Sequence, residues 1–180
     1  MKGTFVALLR GINVGGRNRL AMAELKSMFQ DAGCRSARTY IQSGNVVFGS
    51  TREEAQRICD AVRAALAARL GTDIPIILRS GANLARIAGD NPFPAAEEDT
   101  RLLHVGFLSD RPASDRISAL DPNRSPPDGF AVRGREVYLY LPNGATRTKL
   151  TAAYFDRTLG IAATFRNWRT VKTLQRICGL

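Results

Sequence analysis

The sequence predicts an α+β protein made of two consecutive βαββαβ units. Apolar runs typical of strands alternate with helical periodicity in the order strand, helix, strand, strand, helix, strand, and this order occurs twice. The segment Asp90–Pro94 is a turn-rich loop between the two halves. A chain of 180 residues, 44% of them hydrophobic, is long enough to bury a substantial core without disulfides. These observations predict two ferredoxin-like subdomains with antiparallel sheets.

In the first unit, apolar residues at helical spacing mark two helices, and Gly33 and Gly71 mark their ends. Ser43-Gly44 separates two short strands and predicts a hairpin turn. The predicted elements are the strand Thr4–Arg10, a helix over 21–32, the strands Ala37–Gln42 and Asn45–Phe48, the helix Glu53–Leu70 and the strand Ile74–Leu78. In the first strand, the odd-numbered and the even-numbered residues are both apolar, so both faces of the strand are apolar. This pattern predicts that both faces are covered.

The second unit follows a connecting helix, and a further helix with Thr170 as its N-cap is predicted to end the chain. The predicted elements are the helix Ser80–Ala88, the strand Leu102–Leu108, the helix Ala113–Leu120, the strands Phe130–Arg133 and Glu136–Leu141, the helix Thr148–Leu159, the strand Ala162–Phe165 and the helix Val171–Cys178. We therefore place an N-terminal subdomain at 1–80, a connector at 81–99 and a C-terminal subdomain with its terminal helix at 100–180.

Positive charge is concentrated at the two ends of the chain. The net charge is +10, residues 1–19 hold four basic residues and no acid, and residues 145–180 hold seven basic residues against one acid. If the ends meet, they form a basic cleft that attracts phosphate groups. The alternative is a compositional preference for arginine without a ligand, since 22 of the 26 basic residues are arginines.

Five motifs, in this order, resemble the bacterial domain-of-unknown-function 1697 family. They are Ala7–Gly16 (ALLRGINVGG), Thr39–Phe48 (TYIQSGNVVF), Asn91–Pro94 (NPFP), His104–Leu108 (HVGFL) and Arg166–Thr170 (RNWRT). The resemblance covers essentially the whole chain and implies two ferredoxin-like subdomains. It implies no particular reaction.

The segment from Arg10 to Ala21 is the leading candidate for ligand binding. Its Gly15-Gly16 pair allows the backbone to approach a ligand closely, and amides at the start of the following helix favour an anion. Arg10, at the end of the strand, and Arg17 and Arg19, in the loop, supply positive charge. The segment matches neither a Walker A loop nor a GxGxxG loop, so a simple tight crossover with solvated arginines is the alternative.

A second candidate lies near the chain end, where Arg166-Asn167-Trp168 contains the only tryptophan. Trp168 could stack on a base or anchor the terminal helix to the core. Asn167 could bind a ligand or cap a turn. The remaining residues predicted to contact a ligand are Asn13, Ser43, Asn45 and Lys149.

The sequence favours a non-catalytic protein that binds nucleic acid or a phosphorylated ligand through a basic cleft. The alternatives are an enzyme acting on a small anionic metabolite, in which Arg10, Asn13, Ser43, Asn45 and Asn167 line a polar pocket, and a structural or partner-binding module. A single histidine, three dispersed cysteines and unpaired acids predict no metal site and no cofactor. No apolar run has the length of a membrane span, and we expect a cytoplasmic protein.

Overall fold

The computed structural model describes residues 2–179, which divide by their contacts into two compact units. Unit 1 comprises the described residues up to Ala85 together with those from Leu174, and unit 2 comprises Arg86–Thr173. The two divisions fall inside helices. Each unit contains one four-stranded antiparallel sheet with helices, which confirms the predicted α+β class and the two ferredoxin-like subdomains.

Unit 1 has the strand order β2-β3-β1-β4. Its elements are β1 (Gly3–Leu9), α1 (Met22–Asp31), β2 (Arg38–Tyr40), β3 (Asn45–Ser50), α2 (Arg52–Leu70) and β4 (Ile76–Ser80), and α3 (Gly81–Gly89) follows. The helices pack on one face of the sheet around Phe29, Phe48 and Ile58. Val6 and Leu8, on the opposite face of β1, are also fully buried, which confirms that both faces of this strand are covered.

Unit 2 repeats the arrangement with the strand order β6-β7-β5-β8. A 3₁₀ turn (Pro94–Ala96) precedes β5 (Leu103–Leu108), α4 (Ser114–Ser118), β6 (Gly129–Arg133), β7 (Glu136–Tyr140), α5 (Ala152–Leu159), β8 (Ala163–Asn167) and α6 (Trp168–Ile177). Its core packs α5 against the sheet, with Phe155 in edge contact with Phe130. The buried Glu136 carboxylate accepts a hydrogen bond from Arg86 Nη2 at 2.8 Å.

The structure corrects two helix starts. α5 begins at Ala152 instead of Thr148, because Thr151 Oγ1 accepts a hydrogen bond from the Tyr154 N–H and caps the helix there. α6 begins at Trp168, directly after β8, so Thr170 lies inside the helix and is not its N-cap. Asn167 has that role, since its Oδ1 accepts the Thr170 N–H at 2.8 Å.

The turn between β2 and β3 lies tightly against the end of β1. Leu9 N–H donates to Gly44 O at 2.8 Å, and a Cβ added to Gly44 would lie 2.7 Å from Ile12 Cδ1 and 2.8 Å from Leu9 Cβ. Gly44 also has a φ of +74°, which side chains rarely adopt. Only glycine allows the turn to contact β1 this closely.

Replacing Gly44 by alanine should therefore cost more stability than a left-handed glycine does on its own. Gly71→Ala is the matched control, because Gly71 has a φ of +69° with no atom within 4 Å of an added Cβ. We expect the control to lower the free energy of unfolding by about 1 kcal/mol. Gly44→Ala should add about 1–3 kcal/mol for overpacking. Urea denaturation followed by far-ultraviolet circular dichroism measures both, and equal losses would contradict the close approach.

His104, the only histidine, should make stability depend on pH. Burial lowers its pKa from the ordinary 6.5, and its buried Nδ1 has no hydrogen-bond partner among residues 2–179. The unfolded chain therefore binds the proton more readily than the folded one, and stability that is present above pH 6.5 is lost as the pH falls below it. His104→Leu should remove this loss between about pH 7.5 and about pH 5.5 in urea denaturation. An unchanged pH dependence in the variant would contradict this assignment.

Candidate functional site

The glycine-rich segment after β1 folds into a miniature β-hairpin. The Asn13 N–H donates to Asn18 O at 3.1 Å, and the Arg17 N–H donates to Val14 O at 3.0 Å. Gly15 and Gly16, with φ values of +56° and +75°, form its two-residue turn, as a type I′ turn requires. Their backbone N–H groups donate to no acceptor within the described residues. The glycines thus form the loop tip and leave its amides exposed.

Asn13 connects this hairpin to its surroundings through all of its side-chain polar atoms. Its Nδ2 donates to Leu20 O and to Gln42 O, both at 2.9 Å, and its Oδ1 accepts the Leu20 N–H at 2.9 Å. Its φ of +54° is a conformation that asparagine tolerates better than most residues. Asn13 therefore fixes the hairpin, the entry to α1 and the β2–β3 turn as one loop cluster.

Asn45 and Ser43 hold the β2–β3 turn itself. Asn45 Nδ2 donates to Tyr40 O and to Ser43 Oγ, both at 3.0 Å, and the Asn45 side chain is completely buried. The structure thus places Asn13, Ser43 and Asn45 in one loop cluster. The polar side-chain atoms of the two asparagines bond to neighbouring loop residues and fix the loops.

An open groove of about 630 Å³ lies beside this loop cluster at the start of α1. Its lining residues come from the hairpin, from the segment between the hairpin and α1, from the first turn of α1, from the β2–β3 turn and from the end of α2. They are Asn13, Gly16, Arg19, Leu20, Ala21, Glu24, Gln42 and Arg69. All of them belong to unit 1. The groove is open to solvent.

Two arginines of the groove differ in their pairing. Arg19 is exposed and makes no ion pair or hydrogen bond with any other described residue. Its Nη2 lies 3.8 Å from the position of a Cβ added to Gly16, so the guanidinium extends over the hairpin tip. Arg69 Nε instead donates to Glu24 Oε1 at 2.6 Å. Glu24 lies in the first turn of α1, where the helix dipole favours a carboxylate.

Of the two other N-terminal arginines of the predicted site, one precedes the hairpin and one belongs to it. Arg10 is half-buried, and its backbone N–H donates to Pro75 O at 3.0 Å. The Arg17 side chain is exposed on the returning strand of the hairpin. Sequence reasoning missed Glu24, Gln42 and Arg69, because helix-surface and turn residues up to 45 positions apart carry no signal that they share a groove.

The C-terminal candidates lie in unit 2 and mostly support the fold. Arg166 is buried, donates through Nη1 to Thr164 Oγ1 at 2.9 Å and to Phe165 O at 2.8 Å, and has its pKa lowered to about 10 by burial. Trp168 is 2% exposed, so its ring presents no open face to a base. This burial favours the anchoring alternative for Trp168, and Asn167 caps α6.

Lys149 is exposed in the segment before α5, and its backbone N–H donates to Ser125 Oγ at 3.0 Å. The hairpin and the Arg166–Trp168 segment fall in different units, so their meeting in one cleft stays a prediction.

Within residues 2–179, no cluster of three or more His, Cys, Asp or Glu is placed to hold a metal ion. None of the helices in this range combines the length and apolarity needed to cross a bilayer.

The fold and the groove define a protein with two ferredoxin-like units and an arginine-containing loop site in the first unit. The chain belongs to the family described as Protein of unknown function (DUF1697), whose sequence model matches residues 2–138. Its fold is similar to that of the conserved bacterial protein SP0830 from Streptococcus pneumoniae, with a TM-score of 0.74 and 20% identity over 99% of each chain. A search of curated proteins found no match.

Replacing Asn13 by alanine should loosen the whole loop cluster. The substitution removes three hydrogen bonds, and we expect a loss of about 2–3 kcal/mol in the free energy of unfolding. Asn18→Ala in the same hairpin removes only the bond from Nδ2 to Gly11 O and should cost about 1 kcal/mol. Urea denaturation measures both losses, and a cost for Asn13→Ala no larger than that for Asn18→Ala would refute the role of Asn13.

Proposed function

We propose that this protein is a non-catalytic binding protein. The groove of unit 1 binds the phosphate groups of a nucleic acid or of a phosphorylated small molecule. The observation that carries the proposal is the exposed and unpaired Arg19 guanidinium, which extends over the hairpin tip in an open groove. A guanidinium presents a planar set of donors that matches two phosphate oxygens at once.

The hairpin supplies neutral donors beside that charge. The exposed N–H groups of Gly15 and Gly16 are free to donate to phosphate oxygens, and the glycines let a ligand approach the backbone. Arg17 adds a second exposed guanidinium on the same hairpin. The Asn13 hydrogen bonds hold the hairpin in place before the ligand arrives, which lowers the entropic cost of binding.

The charge of the chain favours nucleic acid among phosphate-bearing ligands. A net charge of +10 increases the association rate and the affinity for a polyanion through counterion release. The open shape of the groove suits a strand that continues past the site. A small phosphorylated molecule remains the alternative ligand of the same donors.

The alternative of an enzyme acting on a small anionic metabolite has less support. It places the polar atoms of Asn13 and Asn45 in a substrate pocket, whereas these atoms hold the loop cluster together. The groove lining contains one carboxylate, from Glu24, and that carboxylate is paired with Arg69.

The salt dependence of oligonucleotide binding tests the proposal. For about four phosphate contacts, affinity for a single strand should fall about 50-fold between about 50 mM and about 200 mM salt. Arg19→Gln should weaken binding and reduce the slope of the log–log plot by about 0.7. The matched control is Arg57→Gln, an exposed arginine of α2 outside the groove lining. If the two variants bind equally, or if neither the oligonucleotide nor pyrophosphate binds, the groove is not the phosphate site.

Glu24 should compete with the ligand for Arg69, so its removal should strengthen binding. Glu24→Gln releases Arg69 while adding one unit of positive charge, and we expect an affinity gain of about threefold to tenfold from one more charge-assisted contact. Asp73→Asn is the matched control, because Asp73 pairs with Arg63 at the same 2.6 Å on the surface of unit 1. Fluorescence anisotropy with a labelled strand measures both variants. Equal gains would assign the effect to net charge and contradict the competition.

A further inference from the structure

Two aliphatic side chains are displayed on the loop cluster of unit 1. Val14 is 61% exposed and Ile41 is 48% exposed, and they are the large hydrophobic residues with the highest exposure among residues 2–179. Val14 follows Asn13 in the hairpin, and Ile41 precedes Gln42 in the β2–β3 turn. The 2.9 Å hydrogen bond from Asn13 Nδ2 to Gln42 O therefore links the immediate neighbours of both side chains.

The backbone at Ile41 is strained. Its φ is +49°, a left-handed conformation that β-branched residues avoid because their Cβ is crowded by the backbone. The turn enforces this conformation through the Asn45 hydrogen bond to Tyr40 O and through the close packing of Gly44 on β1. Asparagine or glycine would fit the same backbone more easily. Because an exposed isoleucine occupies this strained position, we infer that its side chain has a functional role.

We propose that Val14 and Ile41 contact the unstacked bases of a single-stranded nucleic acid whose phosphates are bound by the adjacent arginines. The inference rests on the proposed function and specifies its ligand. Arg17 and Arg19 supply charge complementary to the backbone of the strand, and the two aliphatic side chains supply apolar contact beside them. In a single strand the base faces are open to such contact.

A single strand fits these features better than the other phosphate-bearing ligands. In a duplex the base faces are stacked, and an apolar side chain reaches them only by wedging a base step apart at a cost of a few kcal/mol. The donors of the groove can bond the phosphate oxygens of a small phosphorylated molecule. Such a ligand does not need exposed aliphatic residues next to these donors. Apolar and cationic groups side by side match the alternation of bases and phosphates along a strand.

The test uses variants that change the apolar contact and leave the charge untouched. Ile41→Asn should weaken binding of a fluorescein-labelled oligothymidine about fivefold, from the lost burial of one partly exposed side chain. The same variant should raise the melting temperature, because asparagine relieves the left-handed strain. Val14→Thr, which keeps the shape and the β-branching, should weaken binding to a similar extent and serves as an independent variant.

An abasic strand of the same length and the pyrophosphate anion are the control ligands. Both keep the phosphates and lack the bases, so wild type and variants should bind each of them equally well. The salt slope for oligothymidine should also stay unchanged in the variants. Loss of affinity for the base-containing strand, together with a gain in stability for Ile41→Asn, is a combination that a purely structural role does not produce.

The opposite results overturn the inference in distinguishable ways. If the wild-type protein binds oligothymidine and both variants bind it equally well, the two side chains do not contact bases, while the proposed function stands. If pyrophosphate binds and oligothymidine does not, the ligand is a small molecule. If the variants lose affinity only for vesicles of phosphatidylserine, the surface contacts lipid instead of nucleic acid. If wild type binds neither phosphate ligand, the proposed function fails as well.

Discussion

The side chain of Asn13 is the constraint on which the loop cluster of unit 1 depends. Its three hydrogen bonds go to backbone groups of Leu20 and Gln42, which lie in segments that the chain separates by one helix and one strand. Without this link, the hairpin would lose its side-chain bond to the β2–β3 turn, which Asn45 and the packing of Gly44 hold by themselves. With it, a set of arginines, glycine amides and aliphatic side chains acquires a fixed mutual arrangement on a rigid base.

The same link explains why the groove can hold unpaired charge. The loops are fixed by neutral amide bonds and by the packing of Gly44, so Arg19 is not needed to hold the fold in this region. Arg19 is therefore available to a ligand, whereas Arg166 in unit 2 is buried and bonded to its own strand. Exposure and pairing, more than the number of basic residues, separate arginines that can bind from arginines that support structure.

The sequence predicted the fold well because its signals are local. Periodicity and the glycines Gly33 and Gly71 located the helices of unit 1, and repetition of the element order gave both sheets. Helix starts were harder, since Thr151 and Asn167 each act as caps where several neighbouring residues were equally suitable. The groove could be predicted only in part. Gly15 and Gly16 indicated a close backbone approach, but the Glu24–Arg69 pair is created by packing of α1 and α2 and leaves no mark in either segment.

The single tryptophan determines which part of the protein intrinsic fluorescence can monitor. Trp168 begins α6 in unit 2, and its indole is shielded from water, so its emission should be blue-shifted in the folded state. The groove and the loop cluster belong to unit 1, where Tyr40 is the only tyrosine among the described residues and no tryptophan occurs. Tryptophan emission therefore depends on the surroundings of α6, and changes in the groove should affect it little. A fluorophore that reports on the groove therefore has to be introduced into unit 1.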